Sequence, residues 1–187
     1  MHIILASRSP RRQELIRNIT EDYEVIVSPV EEILPEGISP DMAPVYLSAL
    51  KARAVAAAHP QNTVVGADTV VVLDGEVLGK PRDRADAADM LKKLSGRVHT
   101  VITGCCLVKD GREHSFAEHT QVAFYPLTER EIEEYIATGE PFDKAGAYGI
   151  QGKGMLFVKG IEGDYFNVMG LPVGRLNREL NAFLGES

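Results

Sequence analysis

Apolar residues alternate between short runs and helical stripes along much of this chain. His2 to Ala6 is a short apolar run and predicts a strand. Pro10 to about Ile19 predicts a helix, with Ser9 as N-cap, proline at its first position and Leu15, Ile16 and Ile19 on one face. Tyr23 to Pro29 reads as a second strand, and Leu34 to Pro40 as a loop. Ala43 to Ala58 reads as an alanine-rich helix with Leu47, Leu50 and Ala54 as its inner stripe and His59-Pro60 as its stop. Thr63 to Leu73 is a long buried strand, which Asp74-Gly75 turns into Glu76 to Leu78.

The second half continues the alternation. Asp83 to Leu94 predicts a helix closed by Ser95-Gly96. Val98 to Lys109 predicts a strand whose antiparallel partner, His114 to Tyr125, follows an Asp110-Gly111 turn. Thr128 and Glu131 form a capping box for a helix over Glu129 to Ala137, with Gly139 just past its end. Pro172 to Leu184 is a terminal helix with Val173, Leu176, Leu180 and Phe183 on one face. Residues 139 to 174 carry nine of the 17 glycines and read as loops and bent strands. Hairpins mixed with crossover helices predict an α/β or α+β fold with a mixed sheet. No repeat or linker divides residues 1 to 187, so a single domain is expected.

Composition narrows the classes. The 44% hydrophobic and 25% charged residues suit a globular protein rather than a disordered or fibrous one. A net charge of −7 argues against a surface that tracks a nucleic-acid backbone, while a few cations in a cleft could still hold a small anion. The two cysteines, Cys105 and Cys106, are adjacent and read as small core residues; no Cys or His cluster has zinc-ligand spacing. The start lacks a signal-peptide h-region and no apolar run approaches the length of a membrane span, so a cytoplasmic protein with no membrane partner is expected.

Five features carry candidate chemistry. In Ser7-Arg8-Ser9-Pro10-Arg11-Arg12, two arginines occupy the first helical turn, where the macrodipole disfavours cations; with the free N–H groups there they could form an anion site, or be two solvated arginines. Asp68, in Gly66-Ala67-Asp68-Thr69, interrupts an apolar strand, where a carboxylate is costly unless paired or ligating; a general base or metal ligand is the better reading than a solvated edge residue. Gly66 marks a bulge or the close approach of a ligand. Lys51 and Lys80 each read alone as surface lysines, but as point charges they would complement the arginines around a triphosphate. Glu31-Glu32 could supply a second carboxylate to Mg²⁺. In Phe142 to Gly152, glycines bracket Tyr148 and Gln151, whose amide could read a base edge, or which could be a plain surface amide.

Taken together, Leu5-Ala6-Ser7-Arg8-Ser9-Pro10-Arg11-Arg12, Gly66-Ala67-Asp68-Thr69, Gly79-Lys80-Pro81, Ser95 to Gly104, Asp143 to Gly152 and Asn167-Val168-Met169-Gly170-Leu171-Pro172 resemble the Maf family of nucleotide pyrophosphatases, in order and over nearly the whole chain. The resemblance implies an elongated α/β fold shared with inosine triphosphate pyrophosphatases, a mixed twisted sheet with flanking helices and two lobes around a central cleft. It implies hydrolysis of nucleoside triphosphates to monophosphate and pyrophosphate, on the branch that acts on dTTP and UTP. It makes Asp68 the proton acceptor, ties Arg11, Thr69 and Gln151 to substrate choice, and places Ser7, Arg12, Glu32, Lys51 and Lys80 in a polar cleft. Glu32 and Asp68 would hold a divalent cation, Mg²⁺ or alternatively Mn²⁺, whose charge together with the nearby cations is expected to lower the Asp68 pKa. Family members commonly carry Asp-Glu where this chain has Glu31-Glu32, and Glu32 aligns with their Glu. The alternatives are a pyrophosphatase for non-canonical purine nucleotides or 7-methyl-GTP, and a nucleotide-binding regulator of septum formation. The hairpin and the terminal helix could supply the surface of a homodimer.

Overall fold

Ile3–Leu5 (β1) is three apolar residues with no polar face, and in the computed structural model, which describes residues 2–185, it is buried throughout. A strand this apolar needs neighbours on both sides. It lies parallel to Tyr23–Val25 (β2) and to Thr63–Leu73 (β3), with Ile3 opposite Tyr23 and Thr63. The two crossovers carry the helices Pro10–Ile16 (α1) and Ala43–Ala56 (α2). Glu76–Leu78 (β4), Arg84–Leu94 (α3), Val98–Lys109 (β5), Arg112–Phe124 (β6), Glu129–Ala137 (α4), Val158–Glu162 (β7), Tyr165–Met169 (α5) and Val173–Leu184 (α6) follow. The mixed sheet runs β2-β1-β3-β5-β6-β7, and β4 pairs with β3. Among the described residues, no helix is long and apolar enough to cross a membrane.

The chain divides into two compact units. The first comprises Met1–Thr69, Thr103–Glu118 and Gly170–Ser187, and the second Val70–Ile102 and His119–Met169. In the first, Ile4, Ala6 and Val64 pack with Ala49, Ala52, Val55 and Ala56 of α2 and with Cys106. Both cysteines are buried and free, as expected of core residues. The buried face of α2 differs from the expected stripe: Leu47 is buried, but Leu50 and Ala54 are only half-buried, and Ser48, Lys51, Ala52 and Val55 face inward instead. The reason is local. A Cβ on Gly66 of β3 would overlap the Ser48 carbonyl oxygen, and one on Gly104 of β5 would overlap the Pro44 carbonyl. The two glycines let the helix lie directly on the strands, and its small residues make the closest approach. Gly66 thus marks a helix against the strand, in place of the expected bulge or ligand.

In the second unit, α3 contributes Ala87, Leu91 and Leu94 and α4 contributes Ile132, Tyr135 and Ile136 to a core with Val71, Leu73, Val101, Val122 and Phe124. The Thr128–Glu131 capping box forms as expected. Both Asp-Gly turns also form: Asp74 and Gly75 have φ of 51° and 80°, and Asp110 and Gly111 have 50° and 75°, the left-handed pairs that a tight hairpin needs. Residues 139 to 174 depart from the expected loops and bent strands, because 3₁₀ turns at Glu140–Asp143, Ala145–Ala147 and Gly152–Phe157 precede β7 and α5. Gly139 ahead of the first turn, Gly146 within the second and Gly152 at the start of the third all have positive φ, the conformation that favours glycine. Two elements end early. Asn18 and Ile19 donate three residues back to Leu15 and Ile16, closing α1 in a tight turn, and β2 stops at Val25, ahead of Pro29.

His99 carries a pH dependence. It is 2% exposed, its Nε2 lies 2.7 Å from the Tyr148 hydroxyl, and the Phe124 ring meets it edge-on at 5.0 Å. Burial pulls its pKa down to about 4. The unfolded chain therefore takes up this proton near pH 6.5 while the folded chain resists, so the stability that His99 contributes is present above pH 6.5 and is lost as pH falls toward 4. Urea unfolding at about pH 7.5 and about pH 5 should show a loss about 2 kcal/mol larger in the wild type than in His99→Gln. Equal losses in the two proteins would refute a neutral, buried His99.

Candidate active site

The loop after β1 turns into α1 at Ser9, whose Oγ accepts from the Arg12 N–H at 3.5 Å. Ser7 is buried, and its Oγ accepts from the Ser9 N–H at 3.3 Å and from Arg12 Nη1 at 3.2 Å. The Arg12 side chain turns inward. Its Nη1 also donates to the Ala67 carbonyl at 2.9 Å, Nε to the Gly170 carbonyl at 2.8 Å and Nη2 to Thr69 Oγ1 at 3.0 Å. Burial lowers the Arg12 pKa, against the raising influence of Asp68. Thr69 Oγ1 is also 2.8 Å from Thr103 Oγ1 on β5.

The next strand residue back from Thr69 belongs to a second, adjoining network. Asp68 Oδ1 accepts from Lys51 Nζ at 2.6 Å, and Glu32 Oε2 lies 3.4 Å from the same ammonium. Lys51 is therefore buried, unlike the surface residue that its sequence context alone suggests, because α2 approaches β3 so closely at Gly66. Around Asp68, desolvation outweighs the two cations. Without a bound cation its pKa is raised by burial, with Lys51 and Arg12 pulling it down as expected but less strongly; the expected lowering includes the charge of a divalent cation. A carboxylate held above its ordinary range is a stronger proton acceptor once ionised.

The first unit thus brings Ser7, Arg12, Glu32, Lys51, Asp68 and Thr69 together, with Arg11 half-buried in the first turn of α1. Lys80 and Gln151 lie in the second unit, Lys80 exposed and Gln151 half-buried. Their segments are tied to each other by the Gly146 N–H, which donates to the Gly79 carbonyl at 3.0 Å. The segment ahead of Gln151 is tied by hydrogen bonds and tight backbone turns. Gly146 and Ala147 both have positive φ, Lys144 Nζ donates to the Glu140 carbonyl at 2.7 Å, and the Gly149 N–H donates to the Tyr135 hydroxyl at 3.3 Å. Thr103 and the acceptor carbonyls of Ala67 and Gly170 were not among the expected site residues. Thr103 lies within the Ser95 to Gly104 motif, which offered a signal without a role; a backbone carbonyl offers none.

The family model for Maf-like protein matches residues 2–183. This chain belongs to the Maf family. A relative from Carboxydothermus hydrogenoformans, named dTTP/UTP pyrophosphatase, is 56% identical over 182 residues, covering 96% of this Maf chain and 97% of the relative. Another so named, from Bacillus cytotoxicus, is 52% identical over 180 residues, covering 96% and 94%. Among solved structures, a HAM1 protein from Coxiella burnetii covers 100% of both chains with a TM-score of 0.54 at 16% identity, a likeness of fold that agrees with the expected α/β class.

Two carboxylates, Asp68 and Glu32, come from different segments to the same Lys51 ammonium, and both present hard oxygen donors. Among the described residues, no group of three or more His, Cys, Asp or Glu side chains could hold a metal. Mg²⁺ commonly takes one or two carboxylates and completes its shell with phosphate oxygens and water, so these two are the side chains that would hold such a cation, although here both are paired with Lys51.

Proposed function

We propose that this Maf chain, acting as one domain over residues 1–187, hydrolyses dTTP and UTP at the α-phosphorus to the nucleoside monophosphate and pyrophosphate, cleansing the cytoplasmic nucleotide pool. The observation that carries the reading is Asp68, a carboxylate whose side chain is only 13% exposed and is held by Lys51 at 2.6 Å, with its pKa raised by desolvation. Relatives more than 50% identical over nearly the full chain, named for this activity, support it.

In this mechanism Asp68 orients the attacking water and takes its proton as the water closes on phosphorus in line with the leaving pyrophosphate. Lys51 keeps positive charge beside Asp68, which favours the ionised carboxylate needed to accept the proton. Arg11, at the N-terminal turn of α1, faces phosphate with a planar set of donors, and the adjacent helix start adds its positive end. A divalent cation, Mg²⁺ in the first instance, would sit on Asp68 and Glu32 and supply charge neutralisation to the triphosphate. Lys80, Thr69 and Gln151 complete the substrate contacts, Gln151 through an amide able both to donate to and to accept from a base edge.

The test is product identification. The purified protein, incubated with Mg²⁺ and each common and modified nucleoside triphosphate, should release monophosphate and pyrophosphate, mainly from dTTP and UTP. Diphosphate with orthophosphate would overturn attack at the α-phosphorus. Turnover of ITP, XTP or 7-methyl-GTP with none of dTTP would move the substrate to purines, and tight binding without hydrolysis under Mg²⁺ or Mn²⁺ would indicate a regulator.

A further inference from the structure

Arg12 stands in a motif that suggests phosphate binding, yet its surroundings describe another task. A guanidinium has five N–H donors. Four of those of Arg12 are directed at protein oxygens: Ser7 Oγ and the Ala67 carbonyl from Nη1, the Gly170 carbonyl from Nε, and Thr69 Oγ1 from Nη2. Only the second N–H of Nη2 is left for anything else. The identity of the acceptors matters as much as their number. Ala67 and Thr69 are the residues on either side of Asp68, so the guanidinium grips β3 just before and just after the carboxylate. Ser7 and Gly170 anchor that grip to the loop entering α1 and the loop entering α6. Thr103 braces Thr69 from β5 at 2.8 Å.

We propose that Arg12 is a positioning residue that fixes the Ala67–Thr69 segment, and with it the direction of the Asp68 carboxylate, and that it is not a ligand of the substrate's phosphates. This rests on the hydrolase reading above for the role of Asp68. The planar fork is what the task requires: a lysine keeps the charge but presents three donors on one atom and cannot span four acceptors in different directions. A displacement of about 1 Å at a reacting group costs about 100-fold in rate, whereas binding that never used Arg12 is unaffected.

Arg12→Lys should therefore lower kcat on dTTP about 100-fold while the Kd for α,β-imido-dTTP, a non-hydrolysable analogue, stays within about threefold of the wild type. A Kd raised about tenfold or more, or a kcat kept within about threefold, would overturn the proposal. A second measurement needs no variant. In ¹⁵N-arginine spectra of the wild type, assigned through the backbone, the Arg12 Nη protons should be separately resolved without nucleotide, because their hydrogen bonds hinder rotation, and should keep their positions when the analogue saturates the protein. Averaged Nη signals that become resolved and shift downfield only with the analogue would mark a phosphate ligand and overturn the assignment. The spectra of the nucleotide-free protein do not depend on turnover, so wild-type protein that binds the analogue without hydrolysing dTTP would defeat the hydrolase reading and leave the grip of Arg12 on β3 separately measured.

Discussion

Asp68→Asn should lower kcat on dTTP by about 10² to 10⁴, the range expected when a positioned proton acceptor is removed, and leave the affinity for α,β-imido-dTTP within a few-fold. The substitution changes little else in shape. An asparagine Oδ1 can still accept from Lys51 Nζ, now 2.6 Å from the Asp68 oxygen, so the lysine keeps a partner and Glu32 remains close by at 3.4 Å. What disappears is the capacity to take a proton from water, since a carboxamide is not basic, and one of the two negative charges proposed to hold the divalent cation, of which Glu32 keeps the other. The setting matters to the comparison, because desolvation raises the Asp68 pKa in the absence of a bound cation even with Lys51 and Arg12 nearby. Steady-state kinetics alongside calorimetric titration separate the two effects. Turnover within tenfold of the wild type would remove Asp68 from the role of base, and a parallel collapse of binding would assign it mainly to holding the nucleotide's counter-ion.

The features legible in the sequence are those set by near neighbours. Asp-Gly specifies its hairpins because both turn residues must adopt positive φ, and the Thr128–Glu131 box closes over three residues. A carboxylate in the middle of an apolar strand is conspicuous at any depth of burial, which is why Asp68 could be singled out before any geometry was known. The features that stayed hidden depend on distant partners. The grip of Arg12 joins positions separated by as many as 158 residues and uses two backbone carbonyls, which no side-chain pattern reveals. The sign of the Asp68 pKa shift is a contest between burial and two cations, and composition weighs neither. The inner face of α2 differs from the expected stripe because an alanine-rich helix has small residues on every side; the choice of face is made by Gly66 and Gly104 on the strands beneath it.

That choice leads to the second large effect, in Gly66→Ala. A methyl group at this position would overlap the Ser48 carbonyl oxygen and sit 2.9 Å from Ala52 Cβ and 3.0 Å from the Ala52 nitrogen. The obstacle is helix backbone rather than the end of a flexible side chain, so rotamer changes cannot relieve it, and α2 must retreat from β3. Overpacking of this kind costs about 1 to 3 kcal/mol, and more where backbone must move, a large share of the stability of a folded protein. The same retreat would draw Lys51 away from Asp68, since Lys51 lies on α2 one residue before Ala52 and Asp68 on β3 two residues after Gly66. A folded Gly66→Ala protein should therefore show both a lower urea midpoint and a reduced kcat. Gly79→Ala is the matched control, because a Cβ there meets nothing within 4 Å and its φ lies outside the left-handed range; it should leave the urea midpoint near the wild type. Wild-type stability in Gly66→Ala would show that α2 and β3 are not in the intimate contact that buries Lys51. Lost stability with unchanged kcat would separate the packing of the helix from the alignment of the lysine, and would place the control of Asp68 in the Arg12 network instead.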